Sequence, residues 1–413
     1  MTMLSPDFAQ NSLLGENPAG PISDAITELL RTHARTLIAA ALEAEVASVV
    51  VELKARGADI VRNGYLPERK VTTAIGDVEV KAPRIRAKDG TSVKFTSTLI
   101  PKYLRRSKSI SAWAAYAYLK GVSERDMAEV LGVVLGEGAK RLTPAVVSSL
   151  KKEWTANFDI CKRRDPSKAT FTYIYADGVY QQIRGDNPKV WVLVILGVDD
   201  SGTKHLVALE DGVRESTQSW REVLLDLKAR GMKAPALAVG DGALGFWAAI
   251  SEVFGTTKHQ RCWFHKSANI INYLPKSVQS KARGDLQEIW MAPSRTEAQK
   301  AITLFREKYE DKYPKAVSCL TKDTDSLLAF YDFPAAHWSH LLTTNAIEST
   351  FATLRHRTIA IKGAFSQETA MAMMFQLGLE AEKSWRKIKG SERLAEVISG
   401  VRFIDGEAQA LAS

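Results

Sequence analysis

The sequence predicts an α/β protein whose sheet-containing core is interrupted by a helical segment and preceded by a mainly α-helical region. Two observations lead to this prediction. Between residues 171 and 265, apolar runs of strand length alternate with amphipathic helical repeats, which is typical of an α/β layout. Residues 266–340 then contain helical patterns and no clear strand. The 413 residues, 45% of them apolar and 25% charged, have the composition of an ordinary folded protein with two or three domains.

The N-terminal part predicts one or two long helices. Apolar residues recur at helical spacing across residues 21–57, with Ser23 as a possible cap and Gly57 as a stop. These helices could form a core or pair with another subunit. The first twenty residues lack the basic and apolar regions of a signal peptide, and no run of eighteen apolar residues predicts a membrane span.

The positive charge is concentrated in one part of the chain. The formal net charge is +9, with −4 in residues 1–60, +11 in residues 61–170 and +2 in residues 171–413. A block of this kind is typical of a protein that binds a polyanion, most often nucleic acid. The alternative is a basic surface without a partner.

Within the basic block, the sequence predicts a small hairpin followed by a helix-turn-helix. The alternating segment VTTAIGDVEVKAPRIRA places the turn at Gly76-Asp77. Three helical segments follow over residues 107–154, with Ser123 and Thr143 as caps and Pro144 in the first turn of the third. Any three-helix bundle could give the same pattern. In a helix-turn-helix the third segment would contact DNA. Its outward residues would be Ser148, Ser149, Lys151 and Lys152, and its inward residues Val146, Val147 and Leu150.

The core begins with three strands, FTYIYAD, KVWVLVILGVDD and TKHLVALE. A helix from Ser216 to Gly231 comes next, then the strand APALAVGDG, a second helix and the short strand TTKHQRCWF. After the helical segment, a last helical region begins near Asn345 and runs to about residue 390.

Three carboxylates stand at the ends of these elements. Asp177 ends the first strand, Asp241 ends the fourth, and Glu348 opens the last helical region. Ligands of open α/β sheets gather at such ends, and three carboxylates suit Mg²⁺ or Mn²⁺. Two such ions can hold both oxygens of a phosphoryl displacement. Taken singly, each aspartate could instead belong to an Asp-Gly turn, and Glu348 to a capping box begun by Asn345.

A basic residue follows the glutamate on the same helix stripe. Arg355 comes two turns after Glu348 and could hold a DNA phosphate, or it could be an ordinary exposed arginine.

The segments YADGVY, GDGALGFWAAI, QRCWFHK and TTNAIESTFATLRHRT resemble the signature blocks of bacterial insertion-sequence transposases of the Mutator type. The resemblance runs from about residue 60 to 390, in the same order and with similar spacing. It implies a ribonuclease H-like catalytic core with an all-α insertion before the glutamate. The family's Asp-Asp-Glu triad, which binds the metal, falls on Asp177, Asp241 and Glu348. Gly240 departs from the serine that the family often has there, at a position that is not a metal ligand.

The resemblance also implies residues near the active site. The Cys-x-x-His motif of the family falls on Cys262 and His265, and its basic residue falls on Arg355. Cys262, His265, His337 and His340 could alternatively form a tetrahedral zinc site. The preferred interpretation places His265 near the catalytic metals, bonded to a DNA phosphate or a neighbouring ligand, with Cys262 packed as a small apolar residue.

The implied function is that of a DNA transposase. It would bind terminal inverted repeats and target DNA, and catalyse strand cleavage and strand transfer with two Mg²⁺ or Mn²⁺ ions per active site. Holding two DNA ends implies a homodimer or a larger homo-oligomer. The sparse cysteines, Cys161, Cys262 and Cys319, indicate a reducing cytoplasm, with the bacterial nucleoid as the place of action.

The chain is predicted to consist of five segments with different roles. They are a helical, dimerising region (1–60), a DNA-binding region (61–165), the first core part (166–265), the helical insertion (266–340), and the second core part with the C-terminal tail (341–413). The alternatives are a domesticated, catalytically inactive DNA-binding regulator of the same fold, and a structure-specific nuclease that cuts without joining.

Overall fold

The structure is a computed structural model of the chain. It describes residues 25–90, 93–119, 122–123, 126–135, 138–139, 144–161, 166–182, 189–212, 216–242, 244–360 and 366–409. The chain divides into two compact units, residues 1–150 and 151–413. Within the described ranges, no helix combines the length and apolarity that a membrane crossing requires.

The first unit and the helix that ends it contain four helices and four strands among the described residues. They are α1 (Ala25–Ala55), β1 (Ile60–Tyr65), β2 (Arg69–Thr73), β3 (Gly76–Val80), β4 (Pro83–Ala87), α2 (Lys108–Leu119), α3 (Met127–Leu135) and α4 (Pro144–Cys161), which continues into the second unit.

In the second unit the described elements are β5 (Tyr173–Gln182), β6 (Lys189–Val198), β7 (Lys204–Gly212), α5 (Thr217–Ala229), β8 (Leu237–Gly240), α6 (Leu244–Val253), β9 (Lys258–Arg261), α7 (Trp263–Ile271), α8 (Lys276–Trp290), α9 (Arg295–Tyr309), α10 (Pro314–Thr321), α11 (Thr324–Leu327), α12 (Trp338–Leu341), α13 (Asn345–Ala360), α14 (Gln367–Glu382), α15 (Leu394–Ile398), β10 (Phe403–Ile404) and β11 (Glu407–Ala408).

The long helix α1 supports two small β pairs. The β2–β3 hairpin packs Val71, Val78 and Val80 against Leu42, and the β1–β4 pair packs Ile60 and other apolar residues around Val46. The single helix confirms the prediction for residues 21–57, and Gly57 beyond its end has a φ of +86°.

The hairpin turn lies two residues before the predicted position. Thr73 pairs with Gly76, so the turn is Ala74-Ile75 and not Gly76-Asp77. Asp77 instead accepts a hydrogen bond from Thr72 Oγ1, and Arg31 Nε of α1 donates to the Ile75 carbonyl at 2.5 Å. The turn is therefore stabilised by a helix that is distant in sequence.

Helices α2 and α4 begin at Lys108 and Pro144, where the sequence predicts. Helix α3 begins at Met127, four residues after the predicted cap Ser123, whose Oγ accepts a hydrogen bond from the Asp126 amide. Of the predicted recognition residues, Ser148, Ser149 and Lys152 are exposed, Lys151 is half-buried and Leu150 is buried. Thr143 and the side chains of Val146 and Val147 lie outside the described residues.

The second unit is built on one five-stranded sheet with the order β7-β6-β5-β8-β9. Strands β5, β6 and β7 form an antiparallel meander, whereas β8 and β9 run parallel to β5. The helices α5 and α6 pack on one face around Trp220 and Phe246. Ser216 caps α5 by accepting from the Ser219 amide, as predicted.

Alternate side chains of β5 point to opposite faces of this sheet. Ile174 and Ala176 belong to the core under α5 and α6. Tyr173 and Tyr175 point the other way, where their hydroxyls bond to His337 Nδ1 and to the His340 carbonyl at 2.8 and 2.9 Å. Asp177 therefore shares its face with the segment that leads into α13.

The segment between β9 and α13 contains helices and no strand, all of its residues being described. This agrees with the predicted helical insertion. The short β10–β11 hairpin near the C-terminus and the β1–β4 pair have no counterpart in the sequence prediction.

Candidate active site

The two aspartates lie side by side because their strands are neighbours. Strands β5 and β8 are parallel, with Ala176 opposite Gly240, so Asp177 and Asp241 are the next residues along each chain. One detail of the prediction is wrong, since Asp177 does not end its strand. β5 continues to Gln182 against β6, and only its pairing with β8 stops at Ala176. The same ladder excludes an Asp177-Gly178 turn.

The parallel strand β9 lies next to β8 and adds a further residue, Cys262, beside Asp241. β9 pairs Arg261 with Gly240, and the amide of Cys262 donates to the Gly240 carbonyl at 2.8 Å. Helix α7 begins at the next residue, which places His265 in its first turn, beside Asp241. His265 Nδ1 lies 4.0 Å from Asp241 Oδ1.

Two contacts bring the start of α13 to the same edge. The Trp263 amide donates to the Leu342 carbonyl at 2.8 Å. The amide and hydroxyl of Thr344 donate to Cys262 Sγ at 3.4 and 3.5 Å, and both residues are buried. The helix begins at Asn345, so its first turn presents Glu348 to the edge of the sheet.

The side chain of Glu348 contacts His265 and does not cap its own helix. Its Oε1 lies 2.6 Å from His265 Nε2. Asn345 is already the first helical residue, one position too late to act as the cap of a capping box. The structure therefore does not contain the capping box that the sequence also allowed for Asn345 and Glu348.

Asp177, His265 and Glu348 form a group suited to a metal ion. Their ligand atoms all lie within 4.8 Å of one another, and no other such group occurs in the part of the chain that the structure describes. Asp177 is only 8% exposed, so its own side chain is largely shielded from water. Asp241 adjoins the group through His265 and accepts a hydrogen bond from the Gly242 amide. Two carboxylates and an imidazole, with the Asp241 carboxylate beside them, could bind a divalent metal ion.

The charges around His265 are strongly coupled. Burial alone would lower the pKa of His265, but the neighbouring Cys262 thiol and the Glu348 and Asp241 carboxylates raise it to about 11. Burial tends to raise the pKa of Cys262, but His265 and Thr344 beside it lower that pKa. A cationic imidazole at this position offsets part of the repulsion between the carboxylates.

Sequence reasoning missed the residues that support this edge. Asp323 Oδ2, between α10 and α11, pairs with the buried Lys266 and lies 3.2 Å from Arg261 Nη2, so it anchors both sides of Cys262 to the helical segment. A lone aspartate in a polar helical loop carries no local signal. Thr344 could be noticed in the sequence because it precedes a predicted helix. Its hydrogen-bond partner, Cys262, is 82 residues away and could not be predicted from local sequence.

The four proposed zinc ligands have other partners. His337 is fully buried, and its ring nitrogens bond to Tyr173 Oη and to the Gly390 carbonyl, both at 2.8 Å. His340 Nε2 accepts from the Lys389 amide at 3.0 Å. Because these rings hold the strand and C-terminal segments together, they do not join Cys262 and His265 in a tetrahedral site.

Two further predictions concern DNA contacts. Arg355 lies in α13, two turns after Glu348, and its side chain is outside the described residues. The serines and lysines of α4 lie on a helix in which Ser148, Ser149 and Lys152 are exposed.

The chain is similar to known transposases. The family model "Transposase, Mutator family" matches residues 4–387. The transposase for insertion sequence element IST2 of Acidithiobacillus ferrooxidans is 50% identical over 281 residues, which cover 68% of this chain and 95% of that protein. The transposase for IS6120 of Mycolicibacterium smegmatis is 45% identical over 70% of this chain and 89% of its own length. The transposase for ISRM5 of Rhizobium meliloti is 26% identical over 91% of each chain.

Proposed function

Because the chain belongs to the Mutator family of transposases, we propose that it mobilises an insertion sequence by cutting and joining DNA strands at a site formed by Asp177, Asp241 and Glu348. The observation that carries this proposal is the convergence of these carboxylates from two neighbouring strand ends and one helix start. The transposase relatives support DNA as the substrate. The positions of Asp177, Asp241 and Glu348 in this chain support the choice of site residues.

The sheet supports a ribonuclease H-like core. An antiparallel meander followed by two parallel strands, with helices between them, is the strand arrangement that such a core requires. The acidic residues lie at the carboxyl ends of the parallel pairing, where α/β sheets bind ligands. The all-helical segment before Glu348 supports the all-α insertion that the resemblance implies.

Asp177, Asp241 and Glu348 would hold two Mg²⁺ or Mn²⁺ ions. When bound, these ions would activate the attacking hydroxyl and stabilise the leaving oxygen in an in-line displacement at phosphorus. The chain's own residues position this site. The β5–β8 register fixes the aspartates, whereas Cys262, through Thr344, fixes the start of the helix that carries Glu348. His265 holds the Glu348 carboxylate at 2.6 Å.

Other parts of the chain would bind and pair the DNA ends. The basic residues 61–165, with Ser148, Ser149, Lys151 and Lys152 on α4, would contact the terminal inverted repeats, and Arg355 a phosphate near the active site. Two ends require two sites, hence at least a dimer. Exposed apolar residues on α1, among them Leu29 and Leu37, support a role for this helix in pairing subunits. Action in the bacterial cytoplasm, at the nucleoid, follows from this substrate.

The test is a strand-cleavage assay on labelled DNA that carries the element's terminal repeats, with Mg²⁺. Asp177→Asn, Asp241→Asn and Glu348→Gln should each lower cleavage and strand transfer by at least about 100-fold, because each removes a charged ligand. DNA binding should persist. Asp200→Asn, in the exposed turn after β6, is the matched control and should remain active.

Cleavage by Glu348→Gln at nearly the wild-type rate would contradict the assignment of the third ligand. DNA binding by the wild-type protein without any cleavage would favour the inactive regulator, and cleavage without joining would favour a structure-specific nuclease.

A further inference from the structure

The first unit contains a cleft of about 590 Å³ between the β1–β4 pair and the segment of residues 93–102. Its lining residues include the apolar Leu66 and Phe95, which are called its floor below. Five of the lining residues are basic and none is acidic, namely Arg69, Arg84, Arg86, Lys94 and Lys102. The cleft therefore combines apolar and positively charged lining residues.

The protein itself holds the cleft in shape. The guanidinium of Arg69 donates to the carbonyls of Ile100 and Pro101 at 2.9 and 2.7 Å, which fixes one wall. On the same segment, Glu45 of α1 accepts from Ser97 Oγ at 2.5 Å and from the Thr98 amide at 2.6 Å. Arg69 and Glu45 are thus occupied by structural contacts, and the cavity is formed before any ligand enters.

The other four cations have no acidic partner among the described residues. Arg84 and Arg86 alternate with buried Ile85 and Ala87 on β4, so both point away from the core and are exposed. Lys94 and Lys102 are exposed on the opposite segment. Several other cations of this unit are paired, since Arg35 and Lys70 pair with Glu79, and Arg62 pairs with Glu43. Four cations without an acidic partner in the described part of the chain line one cavity, which indicates an anionic ligand.

The shape of the cavity distinguishes between forms of nucleic acid. A DNA duplex keeps its bases stacked inside and presents phosphates on a convex surface, so it cannot fill an apolar cavity. An unpaired nucleotide offers a flat base to the floor and a phosphate to the surrounding cations. A volume of about 590 Å³ lies in the range of pockets that enclose one small ligand, about 300–1,000 Å³.

We propose that this cleft binds unpaired nucleotides of a DNA strand, with the base against Leu66 and Phe95 and the phosphates against Arg84, Arg86, Lys94 and Lys102. This site is separate from the carboxylate site, because it lies wholly in the first unit. Its ligand is taken to be DNA on the strength of the proposed function. The cleft would bind single-stranded ends or frayed positions that a purely helical reader of duplex DNA would not recognise.

The experiment measures binding of the full-length protein to fluorescein-labelled DNA by anisotropy, in EDTA. The probes are a dodecathymidylate strand, a blunt 12-bp duplex, and the same duplex with a four-nucleotide overhang. Wild-type protein should bind the overhang duplex more tightly than the blunt one. The double variant Arg84→Ala/Arg86→Ala should weaken strand binding about tenfold and reduce the salt slope by about 1.4, since each phosphate that a protein neutralises on a single strand contributes about 0.7 to that slope.

Two more variants separate the cavity from its charge. Leu66→Ser, at a half-exposed floor position, should weaken strand binding about threefold to tenfold without changing the salt slope, because base contacts on an aromatic or apolar surface carry no counterions. Arg35→Ala, a cation that is already paired with Glu79 in the same unit, should bind the strand like wild type.

Equal affinity for the blunt and overhang duplexes would overturn the proposal, as would unchanged strand binding by Arg84→Ala/Arg86→Ala. Saturation by thymidine monophosphate at the affinity of the strand would also overturn it, since the site would then take a free nucleotide. The assay contains no metal and measures no cleavage. Strand binding can therefore be confirmed even if the proposed catalytic function is wrong, and it can be refuted even if that function is right.

Discussion

Cys262 and Thr344 show how a single pair of side chains can position a catalytic group. Neither residue belongs to the group of Asp177, His265 and Glu348 that could hold a metal ion. Their hydrogen bonds join the end of β9 to the start of α13, and Glu348 lies one helical turn beyond that junction. The sulfur, which sequence reasoning treated as a small apolar group, acts here as a buried hydrogen-bond acceptor.

The role of this acceptor can be tested with two substitutions of Cys262. Cys262→Ala leaves the buried Thr344 amide and hydroxyl without a partner, and should lower the free energy of unfolding by about 1–3 kcal/mol. Cys262→Ser keeps an acceptor, so its cost should be smaller. Urea unfolding measures the free energy of unfolding of both variants. The matched controls are Cys319→Ala and Cys319→Ser, at a half-buried position on α10. Equal losses for the serine and alanine variants at Cys262 would rule out the acceptor role.

His265 contributes to the site through its contact with Glu348. His265→Ala removes the group that lies 2.6 Å from Glu348 Oε1, and should slow strand cleavage by about 10- to 100-fold, as the loss of a group that supports a metal ligand does. Its free energy of unfolding should stay within about 1 kcal/mol of wild type. The Mg²⁺ concentration needed for half-maximal cleavage should rise.

The comparison requires cleavage rates across a Mg²⁺ titration, with the exposed His33→Ala on α1 as the control. A variant at His265 that unfolds readily, but cleaves at the wild-type rate when folded, would leave His265 with a structural role alone.

At the scale of elements, β7 is joined to the end of α14 by a histidine between two carboxylates. His205 Nδ1 lies 3.0 Å from Glu382 Oε1, and Nε2 lies 2.8 Å from Asp199 Oδ2. The hydrogen bond to Glu382 outweighs the effect of burial and, together with Asp199, raises the pKa of His205 to about 8. The junction between strand and helix is therefore strongest when the imidazole is protonated.

This pKa gives stability a defined pH dependence. The unfolded chain has a histidine pKa of about 6.5, so the stabilisation is fully present below pH 6.5 and is lost as pH rises through 8. His205 is 34% exposed, and solvent screening reduces the effect to about 1 kcal/mol. The free energy of unfolding can be measured with urea at pH 6 and pH 9. The wild type should be more stable than His205→Ala at pH 6, and this difference should be smaller at pH 9. An advantage that stays constant across this range would contradict the assignment.

Elements with a strong local pattern could be predicted from the sequence, and those stabilised from a distance could not. The buried strands β5 and β6 and the capped helix α5 have unambiguous periodicity and cap residues. The turn of the β2–β3 hairpin depends on Arg31 of α1, and no local pattern encodes that contact. In the candidate site, the two aspartates followed from strand adjacency, whereas the supporting Asp323 depends on helices that fold back onto β9.

At the scale of the whole molecule, the positive charge and the carboxylate site lie in different stretches of the sequence. The positive block covers residues 61–170, including all of α4, whereas Asp177, Asp241 and Glu348 all come after it. Binding and chemistry should therefore be separable by substitution. This division predicts that changes on α4 alter affinity for DNA and leave the carboxylate site intact.

The double variant Lys151→Ala/Lys152→Ala should weaken binding to any duplex and lower the salt slope by about 0.9 for each phosphate that the helix no longer neutralises. Changes of Ser148 or Ser149 should mainly relax sequence preference, because short hydroxyl side chains can read base edges. Anisotropy titrations against terminal-repeat and random duplexes measure both effects. The control is Lys300→Ala, an exposed lysine on α9 that pairs with Glu297. Unchanged salt slopes for the α4 variant would remove this helix from the DNA-binding surface.

The bond between Cys262 and Thr344 also sets an order in time. The two residues are 82 positions apart, so a ribosome adding 5–20 residues per second needs roughly 4–16 s to reach the second after the first. During that interval the nascent chain has both aspartates and the histidine, but no Glu348. The late arrival of the third carboxylate therefore leaves the unfinished chain without a complete carboxylate site.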